Sequence, residues 1–130
     1  MAQQSHGPVV LHIPAASAYL ALTRATTAAV CARLDFPVDL LEDAALAVDE
    51  AASLLLQDAV TESELVCRWT PAGDNLIIQV SSQSSSGRTP RETTFAWTVL
   101  TALVDEVTAE LAEGRVTLSL TVSKVGAIAS

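Results

Sequence analysis

The feature that most constrains the fold of this chain is a long helical pattern in its first half. The run Val38 to Ala59 follows Pro37, a favoured residue where a helix begins, and acidic residues occupy its first turn, where the helix dipole stabilises them. Its apolar residues recur at spacings of three and four, which is the repeat of one helix face: Leu41, Ala44, Val48, Ala52, Leu55 and Ala59. The pattern predicts one long helix that packs this stripe against a core.

The opposite side of the same helix carries an isolated carboxylate. Glu50 lies there between Leu46 and Leu54, four residues away in each direction. A solvated face does not usually place two leucines around one carboxylate, although single exposed leucines are common. We therefore predict that this second face is at least partly covered by a loop, a ligand or a partner. A solvated face with two incidental leucines is the alternative that the sequence leaves open.

Length and composition favour one globular domain spanning all 130 residues. The first residues show no basic region followed by an apolar core, and Asp49 and Glu50 interrupt the most apolar stretch, so we expect a cytoplasmic protein without a signal peptide or membrane span. Cys31 and Cys67 stand alone in apolar surroundings. They are typical of core cysteines and not of a disulfide framework or a metal site.

The charge of the chain is strongly negative and uneven. The net charge is −8, which argues against binding to nucleic-acid phosphates or to anionic membranes. No Lys or Arg occurs from Asp35 to Glu64, a stretch that carries many acids. An acidic block of this kind is either a solvated surface or a docking face for a basic partner, and the sequence leaves both interpretations open.

Periodicity and turn residues divide the rest of the chain into short elements. Pro71, Ala72, Gly73 and Asp74 form a turn between two strand-like runs, and Ser17 is placed to cap the first helix. In chain order we predict an edge strand at 9–13, helices at 17–34 and 38–59, strands at 64–70 and 75–81, a polar loop at 82–94, a helix at 95–107, strands at 108–112 and 116–122, and a loose tail at 126–130. This order predicts an α+β two-layer sandwich, with one mixed β-sheet and three helices on one face.

Familiar catalytic patterns are missing from the sequence. It has no Gly-rich phosphate loop of the common forms, no HExxH and no paired-cysteine metal spacing. His6 and His12 are far apart and are typical of surface histidines, and no histidine accompanies the serine run in a nucleophile pattern. Spacing alone therefore supports a two-layer domain with one unusual carboxylate.

Two segments resemble the anti-sigma factor serine kinases, which are the RsbW and SpoIIAB type within the histidine-kinase-like (GHKL) ATPase superfamily. They are IPAASAYLALTRATTAAVCARLDFPVDLLEDAALAVDEAASLL and FAWTVLTALVDEV, the second of which is similar to the last helix of that family. Together with the order of the elements, the resemblance covers most of the chain. It implies the GHKL (Bergerat-like) fold.

The resemblance also implies a nucleotide site, from which this sequence departs. In the family, the central helix carries Glu-x-x-x-Asn, whose glutamate takes a proton from the substrate serine and whose asparagine ligates Mg²⁺. Glu50 matches the glutamate, but Leu54 stands at the asparagine position, and an aliphatic side chain cannot coordinate a hard cation. Glu50 is thus a catalytic residue only if the chain is active.

The other two nucleotide motifs of the family are also altered. Ser82, Ser84 and Ser86 stand where the family has Asp-x-Gly-x-Gly, and residues 91–97 replace a Gly-rich lid. We therefore expect a filled, vestigial site onto which the loop packs, with no cofactor and no metal. ATP and Mg²⁺ would be cofactors only if the chain were an active kinase.

By resemblance, the chain is expected to act by binding. The first hypothesis is an anti-sigma factor that sequesters an alternative, stress- or sporulation-type sigma factor and is released by an anti-anti-sigma factor. The alternative is an active ATP-dependent serine kinase that phosphorylates the anti-anti-sigma factor, and a third hypothesis is a signalling domain that only forms a homodimer. Arg24 matches a family arginine associated with sigma-factor contact, and the alternative for it is a surface pair with a nearby acid.

Overall fold

The computed structural model describes residues 7–125. In chain order the elements are β1 (Val9–Pro14), a short 3-10 turn (Ser17–Tyr19), α1 (Leu20–Arg33), α2 (Val38–Leu56), β2 (Glu64–Ala72), β3 (Asn75–Gln83), α3 (Phe95–Leu103), β4 (Glu106–Ala112) and β5 (Arg115–Ser123). The predicted tail from Gly126 and the predicted surface residue His6 lie outside the described residues. No helix in the described part of the chain is long and apolar enough to cross a membrane.

The five strands form one sheet in the order β1-β2-β3-β5-β4, and every neighbouring pair is antiparallel. The prediction of a mixed sheet is therefore wrong. After β3 the chain crosses over through α3 and returns as β4, which is parallel to β3 but not adjacent to it. The β4–β5 hairpin then places β5 in the gap between them, so the parallel pair that the crossover would otherwise make never forms.

The sheet has one buried face and one open face, because side chains alternate along each strand. The buried face contributes Leu65, Cys67 and Trp69 from β2, and every second side chain of β3 and β5, all of them apolar except Ser82 at the end of β3. The helices α1 and α2 pack on this face, and α3 packs against α2. The α+β two-layer sandwich with its helices on one face is confirmed.

Helix α2 lies at the centre of the helical layer, and small residues form most of its inner face. The fully enclosed side chains are Ala44, Ala47, Val48, Ala51 and Ala52. Small side chains let this helix approach the sheet closely, so that the large residues of β3 and β5 fill the core. The helix ends at Leu56, three residues before the predicted end, and Ala59 instead pairs with Ser84 in an isolated β-bridge.

Helix α1 attaches to the sheet through polar contacts that the apolar pattern did not predict. Thr23 and Thr27 are fully buried, and the Trp69 indole N–H donates a hydrogen bond of 3.0 Å to the Thr27 hydroxyl. That hydroxyl in turn donates to the Thr23 carbonyl at 2.7 Å, so none of these groups is unpaired. The predicted Ser17 cap is wrong, because Ser17 begins the separate 3-10 turn, whose N-cap is Ala16 without a side-chain bond.

Helix α3 is shorter than predicted because β-sheet hydrogen bonds take over at its end. It ends at Leu103, where Val104 turns extended, and the Asp105 N–H donates to the Thr121 carbonyl at 2.9 Å. Cys31 and Cys67 are confirmed as core residues, and burial raises the pKa of their thiols to about 11 and about 12 respectively.

Candidate functional site

Just beyond the end of α2, one carboxylate holds the beginning of the loop at 84–94. The Asp58 carboxylate accepts hydrogen bonds from the Ser84 hydroxyl at 2.6 Å, the Ser86 hydroxyl at 2.7 Å and the Ser86 N–H at 3.2 Å. The Asp58 carbonyl also accepts from the Ser85 N–H at 2.7 Å. We call Asp58 with Ser84, Ser85 and Ser86 the serine clamp. It fixes the loop to the end of the central helix.

The serine clamp favours the charged form of its carboxylate. The Ser84 hydroxyl, then the Ser86 hydroxyl, and to a lesser degree the Ser86 N–H and the charge of Arg88, hold the pKa of Asp58 below its usual value. Partial desolvation opposes this shift but is outweighed. The clamp is therefore built around an ionised Asp58 at neutral pH.

The serines of the clamp replace glycines of the family without backbone strain. Ser82, Ser84 and Ser86 are not among the residues with positive φ in the described range, whereas Gly87 has φ +71°. The Gly87 N–H donates to the Ser84 hydroxyl oxygen at 3.0 Å, and the Ser84 N–H donates to the Gly114 carbonyl at 2.8 Å. The loop therefore turns at Gly87, and its serines keep ordinary conformations.

A cavity of about 280 Å³ lies between the end of α2, the end of β3 and this loop. Leu54 and the loop therefore leave open space between them, and the vestigial nucleotide site stays a prediction. The cavity walls combine apolar, hydroxyl and cationic side chains, among them Leu54, Leu55, Ser82, Arg88, Arg91 and Val116.

The second face of α2 is covered only toward its C-terminal end. Leu46 is 52% exposed, whereas Leu54 is partly buried and packs against the core while it lines the cavity. Glu50 is partly buried between them, and its carboxylate makes no hydrogen bond or ion pair within residues 7–125. It does not line the cavity. The catalytic role suggested for Glu50 stays a prediction.

The residues around the cavity do not suit the Mg²⁺ that the family implies. Magnesium requires oxygen ligands, and Leu54 supplies none at the position where the family has asparagine. The Asp58 carboxylate is engaged by the serine clamp. In the part of the chain that the structure describes, no group of three or more His, Cys, Asp or Glu side chains could hold a metal ion.

Arg24 lies away from the cavity, on the outer side of the helical layer. Its Nη1 atom is 3.5 Å from Oδ2 of Asp49 on α2, and about half of its side chain remains exposed. It borders a shallow groove between α1 and α2 whose walls are mostly alanine and leucine, including Ala25, Ala45 and Leu46. The pairing with a nearby acid, which was the alternative interpretation of Arg24, is thus present, and its contact with a sigma factor stays a prediction.

Ser84 and Ser86 were singled out from the sequence, but Asp58 and the two arginines that line the cavity, Arg88 and Arg91, were not. Asp58 appeared only as one acid of the acidic block, and Arg88 and Arg91 as part of a polar loop. The sequence did contain a signal for these contacts. Asp58 follows a helix, and the serine run precedes Gly87, and both patterns are typical of side chains that hydrogen-bond to nearby backbone groups.

The antiparallel five-stranded sheet, with its helices on one face and a cavity at the end of the central helix, defines an α+β two-layer sandwich protein. The fold is similar to the crystal structure of the RsbU and RsbW domains of Rv1364c from Mycobacterium tuberculosis, with a TM-score of 0.74 and 19% sequence identity. That similarity covers 91% of this chain and 32% of the other. No known family profile matches the sequence.

Sequence comparison finds relatives of higher identity. The chain is 31% identical over 99 residues to the anti-sigma-F factor RsbW of two Mycobacterium tuberculosis strains. The chain is therefore similar in sequence to RsbW-type anti-sigma factors. The matched region is 76% of this chain and 59% of those relatives, so it spans somewhat more than half of their length.

Proposed function

We propose that the protein binds and sequesters an alternative RNA polymerase sigma factor and that an anti-anti-sigma factor releases it. The observation that carries this proposal is the 31% identity to anti-sigma-F factor RsbW. The fold similarity supports it, because 91% of this chain follows the same architecture as a protein with an RsbW domain. The partners are proposed from the relatives, and their chemistry must suit an acidic surface.

The groove beside Arg24 is the surface that we propose for the sigma factor. Its alanines leave it shallow, and Leu46 leaves exposed apolar area at its edge. Glu42 lines the groove and Asp49 lies beside it, so a basic partner would meet a complementary field. In the bound state, Arg24 would exchange Asp49 for a carboxylate of the partner, with two parallel hydrogen bonds.

We further propose that sequestration proceeds without kinase activity. Leu54 offers no metal ligand, and the serine clamp occupies the carboxylate nearest the cavity. In a kinase, Mg²⁺ neutralises phosphate charge during transfer, and Leu54 supplies no oxygen ligand for it at the position where the resemblance implies an asparagine. The proposed cofactor set is therefore empty, and a phosphate-transfer assay on the anti-anti-sigma factor should yield no phosphoserine.

The test is a binding titration of three variants against a panel of alternative sigma factors from the same organism. Arg24→Gln removes the charge, and Arg24→Glu also places a second carboxylate beside Asp49. Arg68→Glu is the matched control, because Arg68 is exposed on the open face of the sheet, away from the groove. Removing one member of a buried contact costs about 2–5 kcal/mol, which is roughly 30- to 5,000-fold in affinity.

The expected result is a large loss for both Arg24 variants, mostly through faster dissociation, with the Arg68 control at full strength. Thermal melts of the free variants separate a lost contact from a lost fold. Full-strength binding by Arg24→Gln would remove this residue from the interface, and no binding by the unchanged protein would overturn the anti-sigma proposal. The homodimer stays a prediction, which sedimentation of the free protein measures.

A further inference from the structure

The cavity at the end of α2 has a chemically uneven lining. Leu54, Leu55 and Val116 provide apolar surface, whereas Arg88 and Arg91 both lie on the wall that the loop contributes. The sequence has only seven basic residues and a net charge of −8, so two cations on one cavity are a local departure from an acidic protein. The lining therefore favours a ligand with one apolar part and one anionic part.

One polar group in this cavity lacks a protein partner. Ser82 is 1% exposed, and its hydroxyl makes no hydrogen bond with another residue in the range 7–125. Every fully enclosed side-chain oxygen or nitrogen in that range has a hydrogen-bond partner. Because the Ser82 hydroxyl has none, it is not fully enclosed, and it opens onto the cavity that Ser82 lines. Buried hydroxyls are nearly always hydrogen-bonded. An unused donor and acceptor at this depth is available to a bound molecule.

The loop that carries the arginines is anchored at its beginning, at residues 83–86, before any ligand arrives. The serine clamp fixes residues 84–86 to Asp58, and the Val60 N–H donates to the Gln83 carbonyl at 2.9 Å. Asp58 also lines the cavity and offsets part of the charge of Arg88, which leaves Arg91 as the less compensated cation. A pre-organised wall reduces the entropy that binding must overcome.

We propose that this cavity binds a small organic anion, a carboxylate or a phosphate monoester on an apolar body, without a divalent metal. The anionic group faces Arg88 and Arg91, the body packs on Leu54 and Val116, and a polar atom at the far end bonds to the Ser82 hydroxyl. The volume of about 280 Å³ lies just below the range of roughly 300–1,000 Å³ that is common for ligand pockets, which points to a small ligand. The inference does not depend on sigma-factor binding.

The test uses three aromatic probes that differ only at one end: 4-hydroxyphenyl phosphate, 4-hydroxybenzoate and the neutral 4-hydroxybenzyl alcohol. Each is titrated into the protein once in EDTA and once in Mg²⁺, and binding is followed by ¹H–¹⁵N chemical shifts. Arg91→Gln and Ser82→Ala are the test variants. Arg33→Gln is the matched control, since it removes an exposed arginine that does not line this cavity.

The expected result is millimolar binding of at least one anion that EDTA does not change, with the neutral alcohol at least tenfold weaker. Arg91→Gln should weaken the anion at least fivefold and Ser82→Ala about threefold or more, while Arg33→Gln changes nothing. The two anions distinguish a carboxylate ligand from a phosphate ligand. The proposal is overturned by equal binding of the alcohol, by a requirement for Mg²⁺, or by no binding of any probe at 10 mM.

Discussion

Leu54 tests whether the altered nucleotide site is now part of the hydrophobic core. The change to make is Leu54→Asn, which restores the side chain that the family carries at this position. Burying a leucine fully is worth about 1.5–3 kcal/mol relative to exposure. Leu54 is partly buried, with the core on one side and the cavity on the other, so its loss should lower the free energy of unfolding by about 1–2 kcal/mol. The new amide can face the cavity and remain hydrated.

Two other leucines of α2 provide a graded control. Leu55 is 4% exposed and lines the same region, so Leu55→Asn should cost about 2–5 kcal/mol or more, because the new amide is enclosed. Leu46 is 52% exposed, so Leu46→Asn should change stability by about 0.5 kcal/mol or less. Urea unfolding at 25 °C, followed by the fluorescence of the buried Trp69 and Trp97, measures all three variants on one scale.

The expected order of stability loss is Leu55, then Leu54, then Leu46. With a slope of about 1–3 kcal/mol per molar urea, Leu54→Asn should lower the midpoint by roughly 0.3–2 M. The same variant should gain no magnesium-dependent ATP binding, because one amide oxygen does not complete an octahedral site. A Leu54→Asn midpoint equal to that of Leu46→Asn would show that Leu54 contributes nothing to the core, and gained ATP binding would refute the reasoning about the site.

Three further predictions concern other parts of the molecule. Millimolar ATP with Mg²⁺ should leave the melting temperature unchanged, whereas a ligand at a hundred times its Kd would add about 2.7 kcal/mol; a magnesium-dependent rise in a thermal-shift assay contradicts this. Thr27→Val should destabilise the fold by about 1–3 kcal/mol, because the Trp69 indole N–H stays buried but loses its hydrogen-bond acceptor. In a protein that already carries Trp69→Phe, Thr27→Val should have almost no effect on stability in chemical denaturation. Asp58→Asn should speed amide exchange in residues 84–87. Because the pKa of Asp58 is lowered in the folded state, the ionised carboxylate should contribute fully to stability above the ordinary carboxyl pKa. That contribution should disappear as pH falls through the lowered value. An acid titration in which Asp58→Asn and the unchanged protein lose stability in parallel contradicts the clamp.

The fold was predictable where a single side-chain period controlled the structure. The central helix and the hairpin of β2 and β3 follow directly from spacings of three, four and two. Helix α1 was placed by the same argument, but its buried Thr23 and Thr27 depend on an indole in another element, which no local pattern contains. The error over the mixed sheet has the same origin, because strand order is fixed by contacts between residues distant in sequence.

Of the candidate site, the sequence indicated only the positions that differ from the motif of the resembled family. The resemblance pointed to Leu54 and the serine positions, and the departure from the family motif that it implies there stays a prediction. It did not indicate that Asp58, two residues beyond the end of α2, would collect the hydroxyls of Ser84 and Ser86. That cluster requires the end of one helix and the end of one strand to meet, so it becomes visible only when β3 and α2 are placed together.

The serine clamp also gives a physical account of the serines that the resemblance places at glycine positions of the family. Glycines in a nucleotide loop permit motion and close approach, whereas serines restrict the backbone and add hydroxyls that need partners. Asp58 supplies that partner for Ser84 and Ser86. The same hydrogen bonds satisfy the hydroxyls and restrict the conformations of the loop. A loop fixed in this way does not need a nucleotide to order it. Any partner surface that includes this loop is then available in the free protein, and recognition of that partner would not depend on nucleotide binding.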